Sequence, residues 1–398
     1  MEFDYLIIGG GMVAAGAATA IREGAPEASI GILSADIDPP YTRPALSKKL
    51  WTDPEFGEDK VPLDIDEAKA DLRLGTEVVA LDADAKKVRT REGEEFGYGR
   101  LLLATGGNPK RLPGLEPGDR VSYFRSFADY EQVRSLADRK LSFAVIGGGY
   151  IGAEMAAALV QNDCGVALVT SDEVLGGSVF PAGLAARFEK LFTDAGVRVV
   201  QGAKVAEGRA DDDGVALDLE DGTVVEADAV VVGLGVTPAV GIAEVGGIEV
   251  DDGIVVDDRL RTSVADVFAA GDVASYPDAI LGRRRVEHVD SANQQGPFVG
   301  RVMTGSDETY THTPYYYSAV FGHRYEAVGT VDSSLDTVEV WSDDLERGVV
   351  YYLDGDRVAG VLLWGISDDD SPEPRDAARA VLRDQPGRDE LISRIAVD

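Results

Sequence analysis

Two stretches of the chain, Gly9-x-Gly11-x-x-Ala14 and Gly147-x-Gly149-x-x-Gly152, set small residues at a spacing that lets a backbone turn come close to a pyrophosphate. The N–H groups of such a turn, and the positive end of the helix that follows it, bind the diphosphate of a dinucleotide. Each copy has the setting this chemistry needs, an apolar strand before the glycines and an alanine-rich helix after them: LIIGGGMVAAGAATAIR from Leu6 and AVIGGGYIGAEMAAALV from Ala144. One such match carries little weight; two in context imply two dinucleotide sites, the bland alternative being two tightly packed turns.

A carboxylate about 20 residues beyond such a turn can accept hydrogen bonds from a ribose hydroxyl. Asp36 in LSADID and Asp172 in VTSDEV are the candidates. No arginine or lysine lies between Val169 and Val179, and Asp172 and Glu173 would repel a 2′-phosphate, so NADH is expected over NADPH at the second site. The chain has one cysteine, Cys164, so no internal dithiol can carry electrons. Its place between a helical run and a strand starting near Val166 marks it as a small buried hydrophobe.

These residues need two β-α-β openings to hold them. Each glycine turn leads through a short loop into a further apolar strand, at 29–33 and at 165–170. A second pair of echoes follows, LLLATGGNP at 101–109 and VVVGLGVTP at 230–238, each expected to end its sheet. VFAAGDVAS at 267–275 reads as a strand; a polar loop with Arg283, Arg284 and Arg285 and a helical stretch at 288–303 follow. Beyond about residue 310 the pattern turns to alternating strands, at 325–331, 337–341, 348–353 and 357–363, then a terminal helix. The acidic run Asp368, Asp369, Asp370 is expected as a solvated loop before that helix.

With 398 residues, 44% of them hydrophobic, the chain can build two or three ordinary domains. Its net charge is −33, from 38 basic and 71 acidic residues, and only 10 of the basic residues are lysine. Phosphate backbones need a positive face, so nucleic acid is excluded as an expected partner. At about 1 M salt the Debye length falls to ~3 Å, so a surface this acidic suits a high-salt cytoplasm; solubility alone is the plainer explanation. No run reaches the roughly 18–20 apolar residues of a membrane span, and the chain opens on a strand-like run at 3–8. A cytoplasmic protein without a leader or a membrane partner is expected.

The chain resembles the FAD-dependent pyridine-nucleotide oxidoreductases, and within them the apoptosis-inducing factor and ferredoxin/rubredoxin reductase branch. The resemblance rests on IIGGGMVAAGAATAIR, PPYTRPALSKKLW at 39–51, LLLATGGNP, VIGGGYIGAEMA, FAAGDVAS, LGRRRVEHVDSA at 281–292 and YEAVGTVDSSL at 325–335, which span nearly the whole chain. It implies an α/β fold with two Rossmann-like dinucleotide-binding domains, of the glutathione-reductase type, and a C-terminal α+β domain. The divisions expected are 1–111 for the first part of the FAD-binding domain, 112–238 for the NAD(H)-binding domain, 239–309 for the second FAD part and 310–398 for the C-terminal domain. An apoptotic role does not follow for a chain of this charge.

By the same resemblance, FAD would be held by Gly9, Gly11, Met12, Val13 and Ala14, by Asp36 and Arg43, by Val78, and by Ala104, Thr105 and Gly106. Gly271 and Asp272 of AAGDVAS would meet its ribityl or adjoining hydroxyls, and Glu287 and His288 of VEHVD its ring region. His288 has a plainer reading as a helix-start residue satisfied by backbone. NAD(H) would lie on Gly147, Gly149, Tyr150, Ile151 and Gly152, with Asp172 and Gly233. Lys48, paired to Glu154, would stand beside the flavin ring, where a fixed positive charge stabilises negative charge on the reduced ring. The alternative for that pair is two ordinary exposed side chains. Lys48, Glu154 and His288 are thus the catalytic candidates, and no metal is implied.

Three departures limit the resemblance. Ala35 stands where the family places the acid for the FAD ribose, so Asp36 must substitute. The family's FWSD pattern is YYSA here, with Tyr317 at the aromatic position and Ala319 at the charged one. The C-terminal part is short and lacks the regulatory insertion of apoptosis-inducing factor. The expected activity is electron transfer from NADH through FAD to an external acceptor, either a small ferredoxin- or rubredoxin-like carrier or a small molecule such as a quinone or oxygen. A homo-oligomer is compatible with it. The Arg283–Arg285 cluster is a candidate dock, or else a solvated loop balancing local acids. The rival reading is a slow-turnover redox sensor of the apoptosis-inducing factor type; a flavin-independent dehydrogenase is the third.

Overall fold

In the computed structural model, which describes residues 1–367 and 372–397, the chain forms two compact units. One comprises Met1–Arg43, Gly57–Asn108 and Val236–Pro314; the other comprises Pro44–Phe56, Pro109–Gly235 and Tyr315–Asp398. The acidic run at 368–370 lies outside the described residues.

The first unit is built on a sheet in the order Asp71–Arg73, Ile30–Leu33, Glu2–Ile8, Glu95–Leu103, Lys87–Thr90, Val78–Asp82, with Val267–Ala269 also pairing on Glu95–Leu103. Ile30–Leu33 and Glu95–Leu103 flank Glu2–Ile8 in parallel. Strands covered on both faces need apolar residues throughout, which is why IGIL and LLL are continuous runs and not alternations. Leu6, Ile7, Leu101 and Leu102 are fully buried, each burial contributing about 1.5–3 kcal/mol. Helix Met12–Gly24 lies against helix Val289–Met303 at glycine contacts: a Cβ on Gly296 would stand 2.8 Å from the Val13 carbonyl oxygen, and one on Gly300 2.6 Å from that of Ala17.

Two expectations change here. The strand Glu95–Leu103 does not end its sheet, and neither does its counterpart Ala229–Val232; both are interior strands, beside the strand that carries the glycine turn. The arginine run is not a loop. Gly282–Arg285 is an edge strand antiparallel to Ala274–Asp278, closed by a turn in which the Asp278 carboxylate accepts from the N–H groups of Ile280 and Leu281, both at 2.9 Å. Arg283 binds across this small sheet, donating to the Ser275 and Val256 carbonyls at 2.6 and 3.0 Å.

The second unit holds a parallel sheet in the order Arg198–Val200, Val166–Val169, Phe143–Ile146, Ala229–Val232, Val121–Ser122. A three-stranded antiparallel sheet, Val205–Ala210, Val215–Leu219 and Val224–Ala227, accompanies it. A five-stranded antiparallel sheet follows in the order Tyr315–Val320, His323–Gly329, Arg357–Trp364, Gly348–Asp354, Asp336–Trp341, and helix Glu373–Asp384 buries Ala378, Val381 and Leu382 on it. The alternating pattern showed four of these strands and missed Tyr315–Val320. Its turn, Phe321–Gly322, has φ of +50° and +81°, the geometry of a tight hairpin, but a phenylalanine at the first position hides the usual Asn-Gly or Gly-Gly signal. The rings of Tyr325 and Trp364 stack at 5.5 Å, and Phe180 and Phe188 meet both edge-on.

The architecture is therefore α/β, two Rossmann-like sheets, the first mixed and the second parallel, with a C-terminal α+β part, as expected. Among the described residues, no helix is long and apolar enough to cross a membrane.

Candidate functional site

The two glycine turns follow one plan. Gly9 has φ +114° and Gly147 φ +110°, and a Cβ there would stand 2.2 Å from the Ala104 carbonyl oxygen and 2.4 Å from that of Gly233. In each unit the first glycine thus presses on the carbonyl just past the neighbouring interior strand, which explains the paired echoes at 101–109 and 230–238. Ala104 and Gly233 are placed against the turns by this contact. Thr105 and Gly106 continue the first loop, where the Thr105 hydroxyl donates to the Ala239 carbonyl at 2.8 Å.

Gly11 and Gly149 are the N-caps of the two helices, neither has a side-chain cap, and a Cβ at either would meet nothing within 4 Å. The leading N–H groups, on Met12 and Val13 in one helix and Tyr150 and Ile151 in the other, stand at an uncapped positive helix end with space before it. That arrangement fits the diphosphate of a dinucleotide. The copies differ at the last position of the motif. A Cβ on Gly152 would lie 1.8 Å from the Gly147 carbonyl oxygen, whereas Ala14 carries its methyl group fully buried.

The plan extends to the acids. Ser34 Oγ accepts the Asp36 N–H and Thr170 Oγ1 accepts the Asp172 N–H, each at 3.1 Å. Asp36 therefore holds the place in the first copy that Asp172 holds in the second. The Asp36 carboxylate accepts from the Tyr41 hydroxyl at 3.1 Å and lies 3.9 Å from Arg43. Burial, with the nearby charge of Asp36, pushes the Asp38 carboxyl upward. Asp172 accepts from the Ser178 hydroxyl at 3.0 Å.

Elsewhere in the first unit, Val78 opens the strand Val78–Asp82, half-buried. Gly271, φ +79°, donates its N–H to Gln295 Oε1 at 2.7 Å, and Gln295, fully buried, donates in turn to the Ser291 hydroxyl at 3.0 Å. Arg285 ties three groups together: the Asp272 carbonyl at 3.1 Å, the Asp252 carboxylate at 2.9 Å and the Glu287 carboxylate. His288 is the N-cap of helix Val289–Met303, its Nδ1 accepting the Asp290 N–H at 3.2 Å.

The second unit contains the lysine–glutamate pair. Glu154, 3% exposed, lies in the same helix as Gly152, and its Oε2 accepts from Lys48 Nζ at 2.8 Å and Ser47 Oγ at 2.5 Å. Its Oε1 accepts from Ser318 Oγ at 2.7 Å. Two ordinary exposed side chains do not describe this pair. A carboxylate so buried is tolerated when an opposite charge and hydrogen bonds satisfy it, and both are present. Lys48 Nζ also stands 5.2 Å from the centre of the Tyr317 ring, and the Arg324 guanidinium stands 4.7 Å from it. Arg324 is held by the fully buried Glu326 at 2.7 Å, and Arg375 lies 3.4 Å from the same carboxylate. Tyr317 thus joins two ion pairs. Burial pushes the Tyr150 and Tyr325 hydroxyls up, so both stay protonated at ordinary pH.

Cys164 is 4% exposed, and burial pushes its thiol up, as a structural cysteine requires. Sequence reading missed Ser47, Ser318, Arg324 and Gln295. The PALSK and YYSA segments contained both serines, but nothing in the spacing showed that they meet Glu154.

Residues 3–296 match the family described as pyridine nucleotide-disulphide oxidoreductase, and residues 299–344 match the C-terminal family of apoptosis-inducing factor, mitochondrion-associated. The chain is 32% identical to monodehydroascorbate reductase 2 of Arabidopsis thaliana, covering 98% of this chain and 96% of that protein. It is 30% identical to the putative apoptosis-inducing factor 1 of Drosophila melanogaster, over 91% of this chain and 61% of that one. Among solved structures, the covalent putidaredoxin reductase–putidaredoxin complex matches with a TM-score of 0.88 and 27% identity, covering 98% of this chain and 95% of that chain. The cofactors of this family are FAD and NAD(H), which the two uncapped glycine turns fit. With its matched turns, its interior strands and a family match over most of its length, the chain belongs to the pyridine nucleotide-disulphide oxidoreductase family.

Proposed function

We propose that this protein is an NADH:acceptor oxidoreductase that works through FAD and passes electrons to a partner outside the chain. The observation that carries the reading is the helix Tyr150–Gln161, which bears both the second glycine turn and the buried carboxylate that anchors Lys48. When bound, FAD takes an electron pair from NADH and releases electrons to the acceptor.

The chain's own residues divide the remaining work. The N–H groups behind Gly11 and Gly149 take the two diphosphates, and Asp36 and Asp172 take ribose hydroxyls. Lys48, fixed by Glu154, supplies positive charge where negative charge gathers on the reduced ring. Arg43, Val78, Asp272, Glu287, His288 and Tyr317 complete the proposed FAD contacts. On this basis segments 1–111 and 239–309 serve FAD, 112–238 serves NAD(H), and 310–398 carries Tyr317. Asp172 and Glu173, with no basic neighbour in that loop, support NADH over NADPH.

A single buried cysteine means that electrons leave for the acceptor without a dithiol relay. The putidaredoxin reductase complex supports a small iron–sulfur carrier as acceptor, and the monodehydroascorbate reductases support a small oxidised organic molecule. Arg283 and Arg285 are engaged within their own small sheet, which favours the small molecule over a carrier docked on that cluster. The test is steady-state NADH oxidation with a ferredoxin, a quinone, oxygen and an organic radical in turn: fast turnover with at least one is expected. Failure with all four, despite rapid reduction, would favour the redox sensor.

The net charge of −33 supports residence in a high-salt cytoplasm. Melting followed from dilute buffer to molar salt should rise steeply, each 1 kcal/mol of relieved repulsion adding about 2–4 °C. A flat profile would remove the high-salt assignment and leave solubility as the meaning of the charge.

A further inference from the structure

Both oxygens of the Glu154 carboxylate are engaged, and only one of their partners is a cation. Ser47 and Lys48 bond Oε2, Ser318 bonds Oε1, and the carboxylate is 3% exposed. Ser318 lies opposite Tyr325 in the antiparallel pair Tyr315–Val320 and His323–Gly329. Each hydroxyl has one proton to give, and an ionised carboxylate only accepts. The Ser318 and Ser47 protons therefore both go to Glu154.

We infer that Ser318 and Ser47 are positioning residues: a pair of hydroxyl donors, one on each oxygen, that fixes the Glu154 carboxylate and, through it, the place of the Lys48 ammonium. The inference rests on the proposed use of Lys48 but concerns an arrangement within one unit. A lone carboxylate–ammonium contact lets the carboxylate turn about its last side-chain bond and lets a long lysine follow it. Donors on both oxygens remove that freedom. Ser47 comes from the turn preceding Lys48, and Ser318 from the strand that carries Tyr317, so the two serines tie Glu154 to the segment that bears Lys48 and to the strand whose Tyr317 ring lies beside the ammonium.

The test uses the FAD-loaded protein and two readouts. First, Lys48 and Lys49 are labelled with an amine-acylating reagent and quantified by mass spectrometry. Lys48 in the Ser47→Ala/Ser318→Ala protein should label about tenfold faster than in wild type, the factor expected for loss of hydrogen bonds to a charged group, with Lys49 unchanged. Ser318→Thr, which keeps the hydroxyl, should label like wild type. Second, the reduction rate with NADH should fall about tenfold in the double variant while KM for NADH stays within about twofold, again with recovery in Ser318→Thr. Unchanged Lys48 labelling in the double variant, equal acceleration of Lys48 and Lys49, or no rescue by threonine would each overturn the inference. A wild type that NADH does not reduce would defeat the proposed function instead, and the labelling result would still decide the donor set.

Discussion

Gly152 and Glu154 share the first turns of one helix, so the residue that lets the second dinucleotide turn close and the carboxylate that anchors Lys48 are one rigid piece. Gly152 permits the contact with the Gly147 carbonyl, and Glu154 receives three side-chain donors. The second glycine turn and the anchor of the Lys48 ammonium are therefore linked by local geometry.

The Lys48→Met variant should keep FAD yet reduce it about 10²-fold more slowly with NADH, because a preorganised charge is lost where negative charge develops. It should also melt lower, since the buried Glu154 is left without its cation; a broken buried pair costs about 3–5 kcal/mol, less whatever the two serine donors retain. Adding Glu154→Gln should recover stability without recovering rate. Stopped-flow reduction and thermal melts check both halves.

Gly152→Ala should damage NADH binding selectively. A methyl group 1.8 Å from the Gly147 oxygen forces the turn open, at a cost of about 1–3 kcal/mol or more. The reverse change in the first turn, Ala14→Gly, should be mild in its effect on FAD retention. Equilibrium binding of NADH and the flavin content of the purified variants separate the two outcomes.

Replacing Asp172 with alanine should raise KM for NADH by about tenfold, the loss of one or two hydrogen bonds to a charged acceptor, with little change in kcat. An unchanged KM would cancel the ribose assignment.

Asp228 provides a pH test of the fold alone. Its carboxylate accepts from both the hydroxyl and the N–H of Ser142, each at 2.7 Å, and these bonds hold its pKa below the usual carboxylate range. A depressed folded-state pKa contributes stability above the unfolded value near about 3.9 and loses it as pH falls through the folded value. Asp228→Asn should therefore melt lower than wild type at neutral pH, and the difference should shrink below about pH 4. Melting curves taken across the acid range check the sign.

The local geometry of the turns was legible in the sequence because glycine and strand residues are constrained by their immediate neighbours. Gly9, Gly11, Gly147, Gly149 and Gly152 stand where their spacing put them, and Asp172 stands after its strand. What resisted reading were contacts set by packing between distant segments. Ser47 and Ser318 meet one carboxylate only because a turn, a helix and a strand converge, and a serine in a loop looks the same whether or not it does so. The Lys48–Glu154 contact, between residues more than a hundred positions apart, came from resemblance and not from spacing. The arginine run failed for a related reason: charge suggested a solvated loop, while Arg283 and Arg285 use their guanidinium groups to satisfy carbonyls and acids of a small sheet.

The most direct measurement is anaerobic addition of NADH to the purified protein while its visible absorbance is followed. A yellow protein whose flavin bands bleach with one equivalent of NADH is the expected result. A colourless protein, or a yellow one that keeps its oxidised spectrum in excess NADH, would contradict the assignment of both cofactors to one electron path.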